Sequence, residues 1–207
     1  MLPARSSLPE PRPEWTDADP FPRFEALLAR ATSIESRAAH AAALATADAG
    51  GRPSVRMVVL SHHDHCGFVF FTSYSSRKGR ELSGNAWAAL CFYWPAIAVQ
   101  VRVEGTVERL AAVESDVEFA SRPRAQQVAA WAWCQSAPLP SRRRLLEEVR
   151  EVDERFVGQE VSRPPDWGGY RLRPERVEFW HGFENRLHDR ILHVREGATW
   201  KIERLSP

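Results

Sequence analysis

The residues best suited to chemistry lie close together in one short stretch. Ser75-Ser76-Arg77-Lys78 follows an apolar run, Phe68 to Thr72, and opens a segment of helical composition. Two hydroxyls, a guanidinium and an ammonium at a helix start would join unpaired backbone N–H groups and the positive end of the helix dipole, an arrangement that favours an anion. The chemistry implied is phosphate binding. Arg56 sits on the preceding apolar run, Val55 to Leu60, and would add a second, bidentate arm if the two runs pair as a hairpin across a polar turn, His62 to Gly67. The same cations would serve equally well as the solvated first turn of a surface helix, and the pattern is not a Walker loop. A second cluster, His62-His63-Asp64-His65, offers four metal-ligating side chains. Neighbours in a turn point in different directions and cannot all face one ion, so the reading is a polar turn and no metal site.

Composition narrows the class. The chain has 207 residues, 43% of them apolar, as expected of a globular protein with a real core. Its 28 basic residues are balanced by 27 acidic ones, a net charge of +1 that argues against a general nucleic-acid binder. Cys66, Cys91 and Cys134 are odd in number, far apart and without a CxxC pair, which suits reduced cysteines in a cytoplasmic protein. There is no apolar leader and no apolar run long enough to cross a bilayer, so the expectation is a soluble, unexported protein with no membrane partner.

The elements that must position the phosphate-binding residues can be read in order. Residues 1–18, with four prolines, are expected to form a flexible arm, and residues 19–207 a single domain. Asp19-Pro20 offers a cap and a first-turn proline for a helix carrying Phe21, Phe24, Leu28 and Ala31. A short strand from Ala41 to Thr46 turns through Ala-Asp-Ala-Gly-Gly into the Val55 strand. Trp87 to Trp94 is continuously apolar, as for a strand covered on both faces, whereas Val99 to Val107 alternates strictly. Helices are expected over Ala112 to Arg122, Arg124 to Trp133 and about Ser141 to Val157. The Arg142-Arg143-Arg144 run of the last is balanced by i,i+4 carboxylates. Arg163 to Asp166 reads as a linker. Four closing strands follow: Tyr170 to Arg173, Val177 to Trp180, Arg190 to Val194 and Trp200 to Leu205. The fold class is mainly β with peripheral helices, a mainly antiparallel sheet curling into a barrel.

The order of RPSVRMVVL, FFTSYSSRKGREL, the Gln100 strand, SRPR, Gln135-Ser136, WGGY, VEFW and RLHDR resembles the pyridoxine/pyridoxamine 5'-phosphate oxidase family. The likeness runs from about Asp19 to Pro207. It implies an FMN-binding split β-barrel of Greek-key antiparallel type, working as a homodimer with FMN at the subunit interface and passing electrons to O2 with release of hydrogen peroxide. On this resemblance Arg56, Ser76, Arg77 and Lys78 hold the FMN phosphate and ribityl chain. Met57, Val58, Val59, Phe71 and Thr72 line the flavin, and Gln100, Gln135, Ser136, Trp180 and Arg190 complete the site. Arg186 and His188 match the substrate-side, catalytic residues, Arg186 fixing an anionic or carbonyl group and His188 bonding or exchanging a proton. Apart from the resemblance, Trp180 would be read as core packing, Gln135-Ser136 as a helix end and Arg186 with His188 as a strand end.

The substrate positions depart from the vitamin B6 pattern. Where those enzymes hold the substrate phosphate with a Lys, a Tyr, an Arg and a Ser, this chain has Ser61, Glu118, Arg122 and Gln126. One cation is lost and a carboxylate is introduced that would repel a dianion. The chain is therefore expected to oxidise a reduced, carboxylated, non-phosphorylated aromatic precursor, as the phenazine-biosynthesis oxidases of the PhzG branch do in making antibiotic-type secondary metabolites. ATADAGGRPS and GREL…WA…YW are similar to that branch, whereas SRPRAQQVAAW keeps more of the B6 pattern. Pyridoxine/pyridoxamine 5'-phosphate oxidation and a non-catalytic flavin- or haem-binding barrel are the alternatives.

Overall fold

A computed structural model describes residues 18–183 and 186–207; the expected arm at residues 1–18 lies outside this range but for its last residue. The first helix, α1 (Pro20–Glu35), starts as its sequence dictates, with Asp19 accepting the Phe21 N–H at 3.0 Å and proline in the first turn. A 3-10 turn (Ser36–His40) leads into β1 (Ala41–Ala47) and β2 (Pro53–Val59). The Asp48 carboxylate organises the turn between them by accepting the Gly50 and Arg52 N–H groups, each at 2.9 Å. Then come β3 (His62–Asp64), β4 (Gly67–Ser73), α2 (Arg77–Gly84), β5 (Trp87–Trp94) and β6 (Val99–Arg109). Helices α3 (Ala112–Ser121), α4 (Arg124–Ala132) and α5 (Arg142–Arg155) precede β7 (Trp167–His181), β8 (Asp189–Glu196) and β9 (Thr199–Arg204).

Among the described residues nine strands form one sheet in the order β2-β1-β5-β6-β7-β4-β3, with β8 pairing β7 and β9. The pairs β3–β4, β4–β7, β7–β8 and β8–β9 are antiparallel, and Trp180 stands opposite Arg190 in the β7–β8 register.

Contacts divide the chain into two compact units. One comprises residues 18–41, 91–103 and 175–207, the other 42–90 and 104–174. The first buries Phe24 against Phe92 and Trp94, at ring separations of 5.1 and 5.9 Å, and Trp94 donates its indole N–H to the Ala39 carbonyl. Its strand segments add Val99, Val101, Val177, Phe179 and Ile191 to this core. In the second unit Phe68, Val69, Phe70 and Leu172 are buried. A further cluster there joins Phe119, Val128, Ala132, Val152, Val161 and Trp167, with Phe71 and Trp131 packed against it.

Four expectations about the elements are corrected. His62 to Asp64 is a strand rather than turn, because pairing with Gly67–Val69 leaves only His65 and Cys66 to reverse the chain. Within that reversal Asp64 accepts the N–H groups of Cys66 and Gly67 and pairs with Arg171. β5 is not covered on both faces: burial alternates along it, and Trp87 and Tyr93 are 51% and 58% exposed. The two strands expected between Tyr170 and Trp180 are one strand of 15 residues. Pro174 does not break it, and opposite this point Gly105 lacks the Cβ that would collide with the Arg173 carbonyl. The long helix is two residues shorter at its end than expected, with Ser141 as its N-cap. On it Arg144 pairs with Glu147, Glu148 and Glu151.

Candidate functional site

The stretch expected to bind phosphate is built by the second unit. β4 ends at Ser73, and Ser76 caps α2, its hydroxyl accepting the Gly79 N–H at 3.3 Å and donating to the Ser73 carbonyl at 2.7 Å. The first turn of α2 presses directly on the preceding loop. A Cβ on Gly79 would lie 2.6 Å from the Tyr74 carbonyl carbon, so only glycine permits this approach.

Lys78 turns inward from that turn and is only 7% exposed. Its ammonium donates to Gln135 Oε1 at 2.7 Å, to the Thr72 hydroxyl at 3.0 Å and to the Ser76 hydroxyl at 3.2 Å. All three acceptors are neutral. Burial, and after it the positive charge of Arg56, push the Lys78 pKa down to about 8. Gln135 also accepts from Thr72 at 3.1 Å, and Ser136 beside it holds a left-handed backbone with φ of 71°.

Arg56 is brought into the same neighbourhood but not in the expected manner. One terminal nitrogen donates to the Leu44 carbonyl and the Thr46 hydroxyl, the other to the Ser54 hydroxyl and to Glu81 at 3.1 Å. With both terminal nitrogens engaged, it offers a field rather than the expected bidentate arm. Arg77 binds the other oxygen of Glu81 through Nε at 2.8 Å, a pair that does not use its terminal amino groups. Burial alone would raise the Glu81 pKa. Hydrogen bonds from Ser54, Thr46, Arg77 and Arg56 outweigh it and hold the carboxyl at about 2.

Sequence reasoning missed Glu81, Thr46, Ser54 and Gly79. The Arg77–Glu81 spacing of four residues was visible; the partners on β1 and β2 were not.

Three cations and one carboxylate thus share this corner of the unit, an excess of two positive charges. That is the charge a phosphate dianion neutralises, and the three groups that accept from Lys78 carry no charge to offset its own. The donor set fits a cofactor ending in phosphate. Phe71, stacked on Trp167 at 5.4 Å, and Thr72 adjoin it along β4, whereas Met57 and Val59 point outward and are 63% and 66% exposed. Val58 is half-buried.

The positions expected to meet the substrate lie in the same unit. Glu118 and Arg122, one turn apart on α3 and its cap, pair at 3.6 Å, and the Arg122 guanidinium lies 4.4 Å from the Trp167 ring centre. Glu118 also lines a concavity of about 350 Å³ with His62, Val113, Glu114, Val117 and Ser121, a wall of apolar and acidic groups. Ser61 and Gln126 are exposed. Among the described residues no three His, Cys, Asp or Glu side chains gather in metal-binding geometry.

The first unit carries the other expected site residues. Glu178, buried on β7, takes two bonds from Arg190, at 2.8 and 3.2 Å, and one from Arg102. Burial would raise its pKa; the Arg190 hydrogen bond and the charges of Arg102 and Arg190 lower it instead. Gln100 is two residues from Arg102 on β6 and Trp180 two from Glu178 on β7, so each shares its neighbour's face. The Trp180 and His188 rings lie 4.7 Å apart. His188 Nδ1 accepts the Phe183 N–H at 3.1 Å, which puts the ring proton on Nε2. Arg186 is exposed with φ of 61°, a strained conformation of the kind functional loops retain.

Known proteins resemble this chain along most of its length. Residues 31–181 match the family described as pyridoxamine 5'-phosphate oxidase, and residues 167–207 match the pyridoxine 5'-phosphate oxidase C-terminal dimerisation region. A relative from Anaeromyxobacter dehalogenans named pyridoxine/pyridoxamine 5'-phosphate oxidase is 53% identical over 95% of this chain and 100% of its own. One of the same name from Rubrobacter xylanophilus is 50% identical over 94% of this chain and 89% of its own. Among solved structures, PhzG from Burkholderia lata in complex with tetrahydrophenazine-1-carboxylic acid is 34% identical, with a TM-score of 0.89 covering 97% of this chain and all of that one. The expected mainly-β, split-barrel fold class is therefore correct, and the chain belongs to the pyridoxamine 5'-phosphate oxidase family.

Proposed function

We propose that this protein is an FMN-dependent oxidase whose substrate is a reduced, carboxylated aromatic ring without a phosphate. In this reading Lys78, Ser76 and the terminal nitrogens of Arg77 hold the FMN phosphate, with Arg56 adding its field. Thr72, Gln135 and Ser136 border the ribityl chain, and Gln100, Trp180 and Arg190 bear on the ring. The chemistry FMN supplies when bound is two-electron oxidation: a hydride is taken from the substrate, and the electrons pass to O2 with release of hydrogen peroxide. The chain's own residues bind and orient. Arg186 clamps a substrate carboxylate. The Nε2–H of His188, its ring fixed by Phe183 N–H and backed by Trp180, bonds a substrate heteroatom and can hold or return a proton there. Two copies associate through the C-terminal region to form a homodimer with FMN at the interface.

The observation that carries the choice of substrate is the Glu118–Arg122 pair. The arginine is already matched by a carboxylate, which would face an incoming substrate phosphate with a like charge at a cost of several kcal/mol. A second reading, oxidation of pyridoxine or pyridoxamine 5'-phosphate, is favoured by the 53% identity to the Anaeromyxobacter protein.

Peroxide release from the FMN-loaded dimer, measured side by side with tetrahydrophenazine-1-carboxylic acid and pyridoxamine 5'-phosphate, separates the two. The expected kcat/KM ratio is about 100-fold in favour of the phenazine, in line with a like-charge penalty of that size. Faster turnover of pyridoxamine 5'-phosphate would replace the first reading by the second.

A further inference from the structure

We propose that Glu81 is the resident counter-ion of the phosphate seat: it stands in for the cofactor phosphate in the apoprotein, so that the three cations can be assembled before FMN arrives. The proposal rests on the reading above, in which Arg77 and Lys78, with the field of Arg56, hold that phosphate.

The geometry is that of a hub. Glu81 is 7% exposed, one turn after Arg77 on α2. Its Oε2 accepts from the Thr46 hydroxyl at 2.5 Å, the Ser54 hydroxyl at 2.6 Å and Arg56 at 3.1 Å, while its Oε1 takes Arg77 at 2.8 Å. One carboxylate therefore ties β1, β2 and α2 together. Thr46 and Ser54 alone would explain a buried neutral acceptor. Two arginines converging on opposite oxygens require a charge, because without it Arg56 and Arg77 would face each other and Lys78 with no anion between them.

The consequence runs against the usual expectation for a buried polar residue. Glu81→Gln keeps the shape and an acceptor but removes the charge, leaving three positive charges where there were two. The apoprotein becomes less stable, yet the seat attracts a dianion more strongly.

The test is binding of FMN and of riboflavin, which lacks the phosphate, to apoprotein by flavin fluorescence at pH 7, with melting curves of each form. For Glu81→Gln the FMN dissociation constant is expected to fall about 10-fold and the riboflavin constant to change by less than about 2-fold. The apoprotein melts earlier, and FMN raises its melting temperature by more than it raises the parent's. Unchanged or weaker FMN binding would overturn the proposal, leaving Glu81 a hydrogen-bond hub alone. Should Glu81→Gln not fold, the double variant Arg77→Gln/Glu81→Gln, which restores the original excess of charge, is expected to fold; a double variant as unstable as the single one also overturns the proposal. Lys78→Met keeps the two failures apart. If it leaves the preference for FMN over riboflavin intact, the phosphate seat itself is misassigned and the proposal falls with it.

Discussion

Lys78 gives the sharpest test of the phosphate seat. In the protein without FMN its pKa lies at about 8 instead of 10.5, through burial first and the charge of Arg56 second. A phosphate dianion at the ammonium opposes both influences, so binding returns Lys78 to full protonation. At pH 8 about half of the apoprotein lacks this proton, and FMN binding should take up about 0.5 proton, rising to about 0.9 at pH 9; at pH 7 the uptake of about 0.1 is offset by a similar release from the FMN phosphate, whose second pKa is about 6. Titration calorimetry in pairs of buffers with different ionisation enthalpies measures the number directly. Lys78→Met, which keeps the apolar stem, should flatten the profile to zero and weaken FMN binding about 10- to 100-fold, the usual worth of a hydrogen bond from a charged donor. Stability carries the same signature. A base with a lowered native pKa leaves the unfolded chain holding more protons between pH 8 and 10.5, so apoprotein stability should rise through that interval, recovering a penalty of about 3 kcal/mol that is fully present below pH 8. Proton uptake that does not change with pH, or that survives in Lys78→Met, would refute the reasoning.

Two further outcomes follow from neighbouring residues. Gly79→Ala should cost about 3 kcal/mol or more in urea unfolding, because its Cβ would lie 2.6 Å from the Tyr74 carbonyl carbon and that neighbour is backbone that cannot rotate away; a loss below about 1 kcal/mol would mean that α2 shifts freely. Glu81 has the opposite pH sign to Lys78: its native pKa of about 2 lies below the ordinary 4.5, so it contributes about 3 kcal/mol that is fully present above pH 4.5 and is lost as pH falls towards 2. The stability gap between the parent and Glu81→Gln should accordingly close between those two pH values.

What could be read from the chain was mostly local. Asp19-Pro20 announces α1, Ser76 caps α2, and the alternation from Val99 to Val107 becomes the buried and half-buried sides of β6, because each of these signals acts within a few residues. What escaped depends on partners far along the sequence. Nothing near Pro174 tells that Gly105 makes room for an unbroken strand. The apolar run from Trp87 to Trp94 looks the same whether one face or two are covered. Arg56 was expected to offer a bidentate arm to an anion, but its terminal nitrogens are held by Leu44, Thr46, Ser54 and Glu81, a set that only the pairing of β1 with β2 and the approach of α2 assemble. The joining of Arg102 and Arg190 through Glu178 belongs to the same class, since it spans 76 residues in one direction and 12 in the other.

The outward side of β2 carries Val55, Met57 and Val59, each roughly two-thirds exposed, and Trp87 is half exposed on β5. Such a greasy facing is costly to leave wet, and if the proposed second copy covers it, folding and pairing become one mass-action equilibrium. A cell that makes the protein sparingly would then hold disproportionately little of it in working form, so that gene dosage sets the usable fraction as well as the amount.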